Sequence, residues 1–141
     1  NVYEIIRSCS FPNNKARHIV DACQVLITNF NSEVPHSMQE LTTIPGIGRK
    51  SANIILNECF KITEGIAVDT HVTRLSKKIG FTNSDDVKII EKDLMRKIPK
   101  SMWKDINHIL VMHGKTICVA RNPKCDICEL NTMCRAKKAK G

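Results

Sequence analysis

Residues 44–50 combine a turn-forming proline, two glycines and two cations, and they read Ile-Pro-Gly-Ile-Gly-Arg-Lys. Proline fixes φ for a turn, and glycine permits the positive φ values that tight turns need. An apparent helix opens directly behind them. A glycine turn that feeds a helix N-terminus points several backbone N–H groups the same way, so the pattern predicts a site for an anionic oxygen. The alternative is a tight helix–turn–helix connection without a ligand.

Two nucleotide-binding motifs resemble this stretch and are excluded. A P-loop would place glycine directly before the lysine, where this chain has Arg49. A dinucleotide-binding fingerprint would need a third glycine at position 51 and a preceding strand. The chain has Ser51 at that position and a polar lead-in over residues 39–43.

Four cysteines crowd the last quarter of the chain with the spacing C-x6-C-x2-C-x5-C; they are Cys118, Cys125, Cys128 and Cys134. Four converging thiolates could hold a tetrahedral zinc ion or an iron–sulfur cluster. Zinc ribbons usually carry two C-x2-C pairs, and this chain has one, so the spacing leans towards iron–sulfur and leaves zinc open. Arg121 and Lys124, between the first two cysteines, would suit phosphate contact or would offset the negative charge of a cluster.

The other three cysteines, Cys9, Cys23 and Cys59, are scattered among apolar residues, and we interpret them as small core residues or weakly packed thiols. Seven cysteines are an odd number, and no secretory signal is visible. A reducing compartment with a metal site is therefore a better interpretation than a disulfide framework.

The chain is basic: 22 Lys and Arg against 14 Asp and Glu give a formal charge of +8 over 141 residues. A compact, aromatic-poor chain of this charge favours a polyanionic partner. Membrane attachment is not expected, because the longest apolar runs, such as residues 109–112, are far too short to span a bilayer.

Helical periodicity recurs along the whole chain and predicts an all-α fold with short loops. A helix capped by Asn13 or Asn14 should run to about Phe30, with an inward stripe of Ala16, Ile19, Val20, Cys23, Leu26, Ile27 and Phe30. Further helices are expected over about 49–60, 70–79, 84–98 and 101–117. Residues 66–68 predict a buried extended segment, after which Asp69 would cap the helix that starts at Thr70.

Three stretches occur in a specific order. Residues 44–53 read IPGIGRKSAN, residues 67–74 read AVDTHVTR, and residues 113–115 read HGK directly ahead of the four cysteines. Together they resemble the endonuclease III family, the DNA glycosylase/AP lyases of the helix–hairpin–helix superfamily. The resemblance runs from about residue 10 to Cys134.

The resemblance implies a two-lobed all-α glycosylase fold with a DNA cleft between the lobes. Residues 1–63 would form a partial helical lobe with the hairpin at about 44–50, and residues 64–141 an iron–sulfur lobe with its cluster loop at 118–134. The four cysteines become the ligands of a [4Fe–4S] cluster, with zinc as the alternative. Family members carry further N-terminal helices, so we expect this chain to be a fragment that lacks them.

Two catalytic residues follow from the same resemblance, since Lys50 falls on the family's catalytic lysine and Asp69 on its catalytic aspartate. An amine can attack C1′ of the damaged nucleotide, displace the base and leave a Schiff base, from which β-elimination cuts the strand. A carboxylate can stabilise the cationic sugar as the base leaves. The alternatives are that Lys50 only contacts a phosphate and that Asp69 only caps a helix.

The expected DNA contacts come from several segments. The hairpin would grip a phosphate through Pro45, Gly46, Ile47, Gly48 and Arg49. Arg121, Lys124, His71 and Arg74 are further expected contacts to the DNA backbone. A solvated helix surface would explain Arg74 equally well. Phe11 aligns with a family loop that inserts an apolar side chain into the duplex, and its alternative is an ordinary core aromatic.

The resulting hypothesis is a base-excision-repair DNA glycosylase with AP lyase activity that removes oxidised pyrimidines from duplex DNA. Its substrate would be double-stranded DNA with damaged bases or AP sites. We expect a monomer in the cytoplasm or nucleoid, without membrane contact. The alternative is a non-catalytic or monofunctional helix–hairpin–helix module that binds DNA structure.

Overall fold

The computed structural model describes residues 1–138, and every regular element within that range is helical. The α-helices are α1 (Val2–Ile6), α2 (Pro12–Asn29), α3 (Met38–Leu41), α4 (Arg49–Phe60), α5 (Thr70–Ile79), α6 (Val87–Lys97), α7 (Trp103–Thr116) and α8 (Arg135–Lys138). Short 3₁₀ helices cover Lys100–Met102 and Cys125–Ile127. The predicted all-α class is confirmed.

The chain forms two compact units, Asn1–Ile62 and Thr63–Gly141. In the first unit, α3 and α4 flank the glycine turn, and the buried core side chains are Met38, Leu41, Ile44, Ala52 and Leu56. Helix α2 packs half-buried residues against this core, among them Val25 and Leu26. Because Ile44 is buried at the start of the turn, burial of its side chain anchors the turn to the core.

The predicted inward stripe of α2 is only partly right. Leu26 and Phe30 pack against the core, but Ile19, Val20, Cys23 and Ile27 are exposed. Helix α2 carries apolar residues on more than one face, and the face with Val25 and Leu26 is the one that packs against the core of the first unit. Cys9 and Cys59 are exposed as well, so the interpretation of the three scattered cysteines as core residues is wrong.

Helix α2 also starts earlier than predicted. Pro12 is its first residue and Phe11 occupies the N-cap position with φ 55°. Proline suits the first helical position because it lacks an N–H group and its φ is already helical. Asn13 and Asn14 therefore lie inside the helix, and their prediction as caps is wrong.

The second unit is built around α5, α6 and α7. Its buried core side chains are Ile66, Val68, Val72, Leu75, Ile90, Leu94, Ile98, Ile106 and Leu110. Residues 66–68, before Asp69, are buried and lie outside the helices, and Asn107 Nδ2 on α7 donates to the Ala67 carbonyl oxygen at 2.8 Å. The predicted buried segment ahead of α5 is thereby confirmed.

Candidate functional site

The glycine turn has well-defined geometry. Ile47 N–H donates to the Ile44 carbonyl oxygen at 3.0 Å, which closes a four-residue turn around Pro45 and Gly46. Gly46 has φ +79°, the value that a type II turn requires at its third position, and proline is common at the second. The predicted turn is therefore confirmed, and Pro-Gly accounts for its type.

Gly48 is the N-cap of α4, with φ −89° and ψ 175°. It has no side chain to accept hydrogen bonds from the first-turn N–H groups, and a Cβ placed there would meet nothing within 4 Å. The backbone at Gly48 is therefore open to close approach. An anionic oxygen at this point would also be favoured by the dipole of the twelve-residue helix α4.

Arg49 and Lys50 are the first two residues of α4, and both are exposed. The buried residues of the helix are Ala52, Asn53 and Leu56, and Ala52 and Leu56 belong to the core of the first unit. The open backbone at Gly48 and the Lys50 side chain thus both lie at the N-terminus of α4, which is anchored in the core of the first unit.

Asp69 belongs to the second unit and caps α5. Its Oδ1 accepts the Val72 N–H at 2.9 Å, and the residue is half-buried. The buried segment 66–68 precedes Asp69 and α5 follows it, so the backbone is fixed on both sides of the residue. The predicted capping role is confirmed, and the catalytic role of Asp69 stays a prediction.

Arg74 on α5 is engaged inside the second unit, so a solvated surface role is wrong for it. Its guanidinium donates to the Cys118 carbonyl oxygen and, at 3.2 Å, to the Gly114 carbonyl oxygen. Its Nη2 lies 3.4 Å from His71 Nδ1, and His71 is half-buried beside it. Arg74 therefore ties the Asp69 helix to the end of α7, where the cysteine segment begins.

Sequence reasoning missed this connection, although Gly114 offered a signal for it. A glycine inside a helical pattern often marks the close approach of another element. A Cβ at Gly114 would lie 2.9 Å from His71 Nδ1 and 3.1 Å from Arg74 Nη2. The glycine is what lets α5 and α7 pack at this distance.

The four cysteines converge as predicted. Cys118, Cys125, Cys128 and Cys134 are all half-buried and line one cavity of about 400 Å³. The cavity is mostly walled by α5, the end of α7 and the segment after it, including Ile79, Ile117 and Leu130. Two of the sulfurs have further neighbours: Cys128 Sγ lies 3.7 Å from His113 Nε2, and Cys134 Sγ lies 3.4 Å from the Lys78 carbonyl oxygen.

The size of the cavity tests which metal group suits the cysteines. A tetrahedral zinc ion with Zn–S bonds of about 2.3 Å would draw its sulfurs to roughly 3.8 Å from one another and leave no space between them. Among the described residues, no three His, Cys, Asp or Glu side chains come close enough to hold a single metal ion. The cavity of about 400 Å³ that the four cysteines line has room for a larger, multi-iron group.

The loop between the first two cysteines is compact, as its spacing predicted. Lys124 N–H donates to the Ile117 carbonyl oxygen at 3.0 Å and closes the loop, while Asn122 takes φ 52°. Arg121 and Lys124 are exposed on it. Both cations therefore stand on a short, hydrogen-bonded loop next to the cysteine cavity.

Phe11 is 78% exposed, which rules out the alternative that it is an ordinary core aromatic. Its positive φ of 55° is unusual for a bulky residue, and such outliers concentrate at functional sites.

Over the described residues, no helix is long and apolar enough to cross a membrane.

Two family models match the chain. The model described as HhH-GPD superfamily base excision DNA repair protein covers residues 1–100. The model described as the iron–sulfur binding domain of endonuclease III covers residues 118–134, the segment that runs from the first to the last of the four cysteines.

Individual relatives agree with the family models. Endonuclease III of Synechocystis sp. is 42% identical to the chain over 138 residues, which are 98% of this chain and 63% of that protein. A solved non-covalent endonuclease III–DNA complex superposes with a TM-score of 0.89 at 42% identity, over 99% of this chain and 65% of that one. A trapped endonuclease III–DNA covalent intermediate gives 0.89 at 41% identity, with the same coverage. The chain thus spans somewhat less than two thirds of the length of these relatives.

The cavity and the match over residues 118–134 agree on an iron–sulfur group. The cofactor is a [4Fe–4S] cluster, and the zinc alternative is set aside. The two-unit all-α fold, the helix–hairpin–helix turn and the family matches lead to one conclusion. The chain belongs to the HhH-GPD superfamily of base excision DNA repair proteins.

Proposed function

We propose that this chain is a base-excision-repair DNA glycosylase with AP lyase activity, which removes oxidised pyrimidines from duplex DNA. Its partner is double-stranded DNA that contains damaged bases or AP sites. The solved relative in which endonuclease III is trapped covalently on DNA supports a mechanism with a covalent intermediate. The observation that carries the proposal is the position of Lys50 in the first turn of α4, directly behind the open turn at Gly48.

Lys50 is the proposed nucleophile. The lone pair of its uncharged amine attacks C1′ of the damaged nucleotide, and the bond from C1′ to the base breaks with its electron pair leaving on the base. Ring opening then gives a Schiff base between the lysine nitrogen and C1′. Loss of a proton from C2′ and cleavage of the C3′–O bond complete the β-elimination, and hydrolysis frees the lysine.

Asp69 is the proposed carboxylate that stabilises the developing positive charge on the sugar as the base departs. The capping hydrogen bond from Val72 N–H to Oδ1 at 2.9 Å supports this role, because it holds the carboxylate in one orientation. A carboxylate held in place needs little rearrangement during the reaction. It could also assist proton transfer to or from the sugar.

The hairpin is the proposed phosphate clamp of the first unit. Backbone groups of Pro45, Gly46, Ile47, Gly48 and Arg49 would surround one phosphate near the lesion, supported by the open space at Gly48. In the second unit, the exposed Arg121 and Lys124 and the half-buried His71 are the proposed contacts to the DNA backbone.

Phe11 is the proposed wedge that fills the gap left when the damaged nucleotide is flipped out of the stack. Its 78% exposure supports this role, since an aromatic ring held in solvent has surface to bury against bases. Its positive φ supports the role as well, because backbone outliers of this kind concentrate at functional sites.

The proposed ligands of the [4Fe–4S] cluster are Cys118, Cys125, Cys128 and Cys134. Bound there, the cluster would cross-link the segment from 118 to 134, and it can exchange electrons. With Cys118 and Cys125 fixed as ligands at the two ends of their loop, Arg121 and Lys124 would be held at fixed positions between them. We further propose a monomer, with residues 1–63 as the hairpin lobe and 64–141 as the cluster lobe, in the reducing environment of the cytoplasm or nucleoid.

Borohydride trapping tests the nucleophile. Duplex DNA with one oxidised pyrimidine or AP site is incubated with protein and borohydride, which reduces a Schiff base to a stable adduct. Lys50→Ala should abolish the adduct while an electrophoretic mobility shift shows DNA binding retained. Lys88→Ala, at an exposed position of α6, serves as the control that keeps trapping.

The outcomes separate the two functional hypotheses. Undiminished trapping by Lys50→Ala would remove Lys50 from the proposed role. Release of the damaged base without strand cleavage or adduct, in the unsubstituted protein, would instead indicate a monofunctional enzyme. Binding without either reaction would indicate a non-catalytic module.

A further inference from the structure

His113 stands in the last turn of α7 and lines the same cavity as the four cysteines. It is half-buried, and none of the roles assigned above involves it. Its neighbour on the same helix, His108, is exposed and lies outside the cavity lining. The two histidines therefore differ in environment although they share one helix.

Two different groups of His113 contact the cysteine segment. The backbone carbonyl oxygen accepts the Cys118 N–H at 2.8 Å and the Ile117 N–H at 3.0 Å, at the point where α7 ends. The side chain approaches a second cysteine, with Nε2 3.7 Å from Cys128 Sγ. One residue thus touches the first and third of the proposed ligands, and only the second contact depends on its side chain.

The chemistry of a ligating sulfur decides the direction of the side-chain hydrogen bond. A cysteine that binds iron does so as a thiolate, which carries no proton and can only accept. The imidazole must therefore carry its proton on Nε2 and donate it towards Cys128 Sγ. The neighbour of Cys134 Sγ is the Lys78 carbonyl oxygen at 3.4 Å, which has no proton to donate. Unlike His113 at Cys128, it cannot form a hydrogen bond to a thiolate.

We propose that His113 is a positioning residue of the [4Fe–4S] site: its Nε2–H donates to Cys128 Sγ and raises the reduction potential of the cluster. A hydrogen bond to a ligating sulfur stabilises added negative charge, so it favours the reduced form over the oxidised form. Hydrogen bonds to the sulfurs are among the main determinants of iron–sulfur potentials. This proposal concerns the cluster alone and does not depend on glycosylase or lyase activity.

The test compares three variants of the iron-loaded 141-residue chain by voltammetry, with iron content and circular dichroism measured on each. His113→Leu removes the donor, and His113→Gln keeps an N–H group at similar reach. His108→Leu is the matched control on the same helix. Resonance Raman spectra provide a second readout, because loss of a hydrogen bond to sulfur strengthens the Fe–S bonds and raises their stretching frequencies.

The expected result is a midpoint potential shifted to more negative values in His113→Leu, with higher Fe–S stretching frequencies. His113→Gln should lie close to the unsubstituted protein, and His108→Leu should match it. Loss of the cluster from His113→Leu together with its retention in His113→Gln would also support the donor role. Fully loaded His113→Leu with an unchanged or more positive potential would overturn the proposal, and so would loss of the cluster from His113→Gln.

Discussion

Gly46 of the hairpin turn lies directly against His18 of α2: a Cβ added at Gly46 would stand 2.7 Å from the His18 Cβ and 2.9 Å from its Cγ. Real Cβ atoms do not approach this closely, so the helix and the turn can pack this way only because position 46 is glycine. The contact braces the turn against α2, while the space at Gly48 stays open. It therefore gives the hairpin a rigid support within the first unit.

Gly46→Ala should consequently destabilise the first unit. The substitution forces alanine into φ +79° and drives its methyl group into the His18 side chain. The left-handed backbone costs about 1–2 kcal/mol and the overpacking about 1–3 kcal/mol. Urea unfolding followed by circular dichroism should show a loss of about 2–5 kcal/mol in the free energy of unfolding. An unchanged denaturation midpoint would mean that the turn is not braced by His18.

Gly48→Ala should behave in the opposite way, although it lies only two residues further on. Its backbone angles of φ −89° and ψ 175° suit alanine, and the space around a Cβ there is open. Alanine is a poorer N-cap than glycine, but it also lowers the backbone entropy of the unfolded chain by a comparable amount, so the unfolding free energy should change little. The added methyl group would nevertheless occupy the approach to the turn that we assign to a DNA phosphate.

Fluorescence anisotropy with an AP-site duplex at fixed salt should therefore show about tenfold weaker binding for Gly48→Ala, or about 1.4 kcal/mol. Its unfolding curve should overlay that of the unsubstituted protein, which makes it the folded counterpart of Gly46→Ala. Undiminished affinity would place the phosphate away from Gly48.

The turn, the cysteine cavity and the Asp69 cap could all be predicted from sequence because each depends on local chemistry. Pro-Gly specifies a turn type, an aspartate before a helical pattern specifies a cap, and cysteine spacing specifies a metal loop. The inward face of α2 could not be predicted in the same way. Ile19, Val20 and Ile27 are as apolar as Val25 and Leu26, and only the position of α3 and α4 decides which face is covered.

The Arg74 and His113 contacts escaped prediction for a related reason. Each joins residues far apart in the chain, as in the hydrogen bond from Arg74 to the Cys118 carbonyl oxygen. Basic side chains on a helix are usually solvated, so periodicity alone gives no reason to assign them a partner. The packing of α5 against α7, which Gly114 permits, brings Arg74 to its carbonyl partners. The return of the cysteine segment to the end of α7 brings Cys128 to His113.

Arg74→Met should weaken the second unit and loosen the cysteine segment. The substitution keeps much of the apolar stem but removes the donors to the Gly114 and Cys118 carbonyl oxygens. Charged hydrogen bonds of this kind contribute about 1.5–3 kcal/mol each, so a loss of about 3–6 kcal/mol in unfolding free energy is expected for the two. Absorbance of the iron–sulfur chromophore during incubation with a chelator should also decay faster.

Arg96→Met is a suitable control for Arg74→Met, because Arg96 is exposed and forms a surface ion pair with Asp93, with an N–O distance of 3.7 Å. Such exposed pairs contribute little to stability. Arg96→Met should therefore retain both the unfolding free energy and the rate of cluster loss. If Arg74→Met behaved like Arg96→Met, the hydrogen bonds from Arg74 to the Gly114 and Cys118 carbonyl oxygens would contribute nothing to stability.

Asp69 allows its structural and chemical roles to be separated by two substitutions. Asp69→Ala removes the acceptor for Val72 N–H, and loss of such a cap should cost about 1 kcal/mol of unfolding free energy. Asp69→Asn keeps an oxygen acceptor that caps helices about as well as aspartate, so its stability should stay near that of the unsubstituted protein. It does, however, remove the negative charge.

If the charge of Asp69 stabilises the cationic sugar, Asp69→Asn should lose at least about a hundredfold in single-turnover base excision while it still folds and binds DNA. Gel analysis of a duplex with one oxidised pyrimidine measures that rate. Strand cleavage at a preformed AP site should fall less, because no base has to leave. Equal retention of both activities in Asp69→Asn, with a loss confined to the less stable Asp69→Ala, would reduce Asp69 to a helix cap.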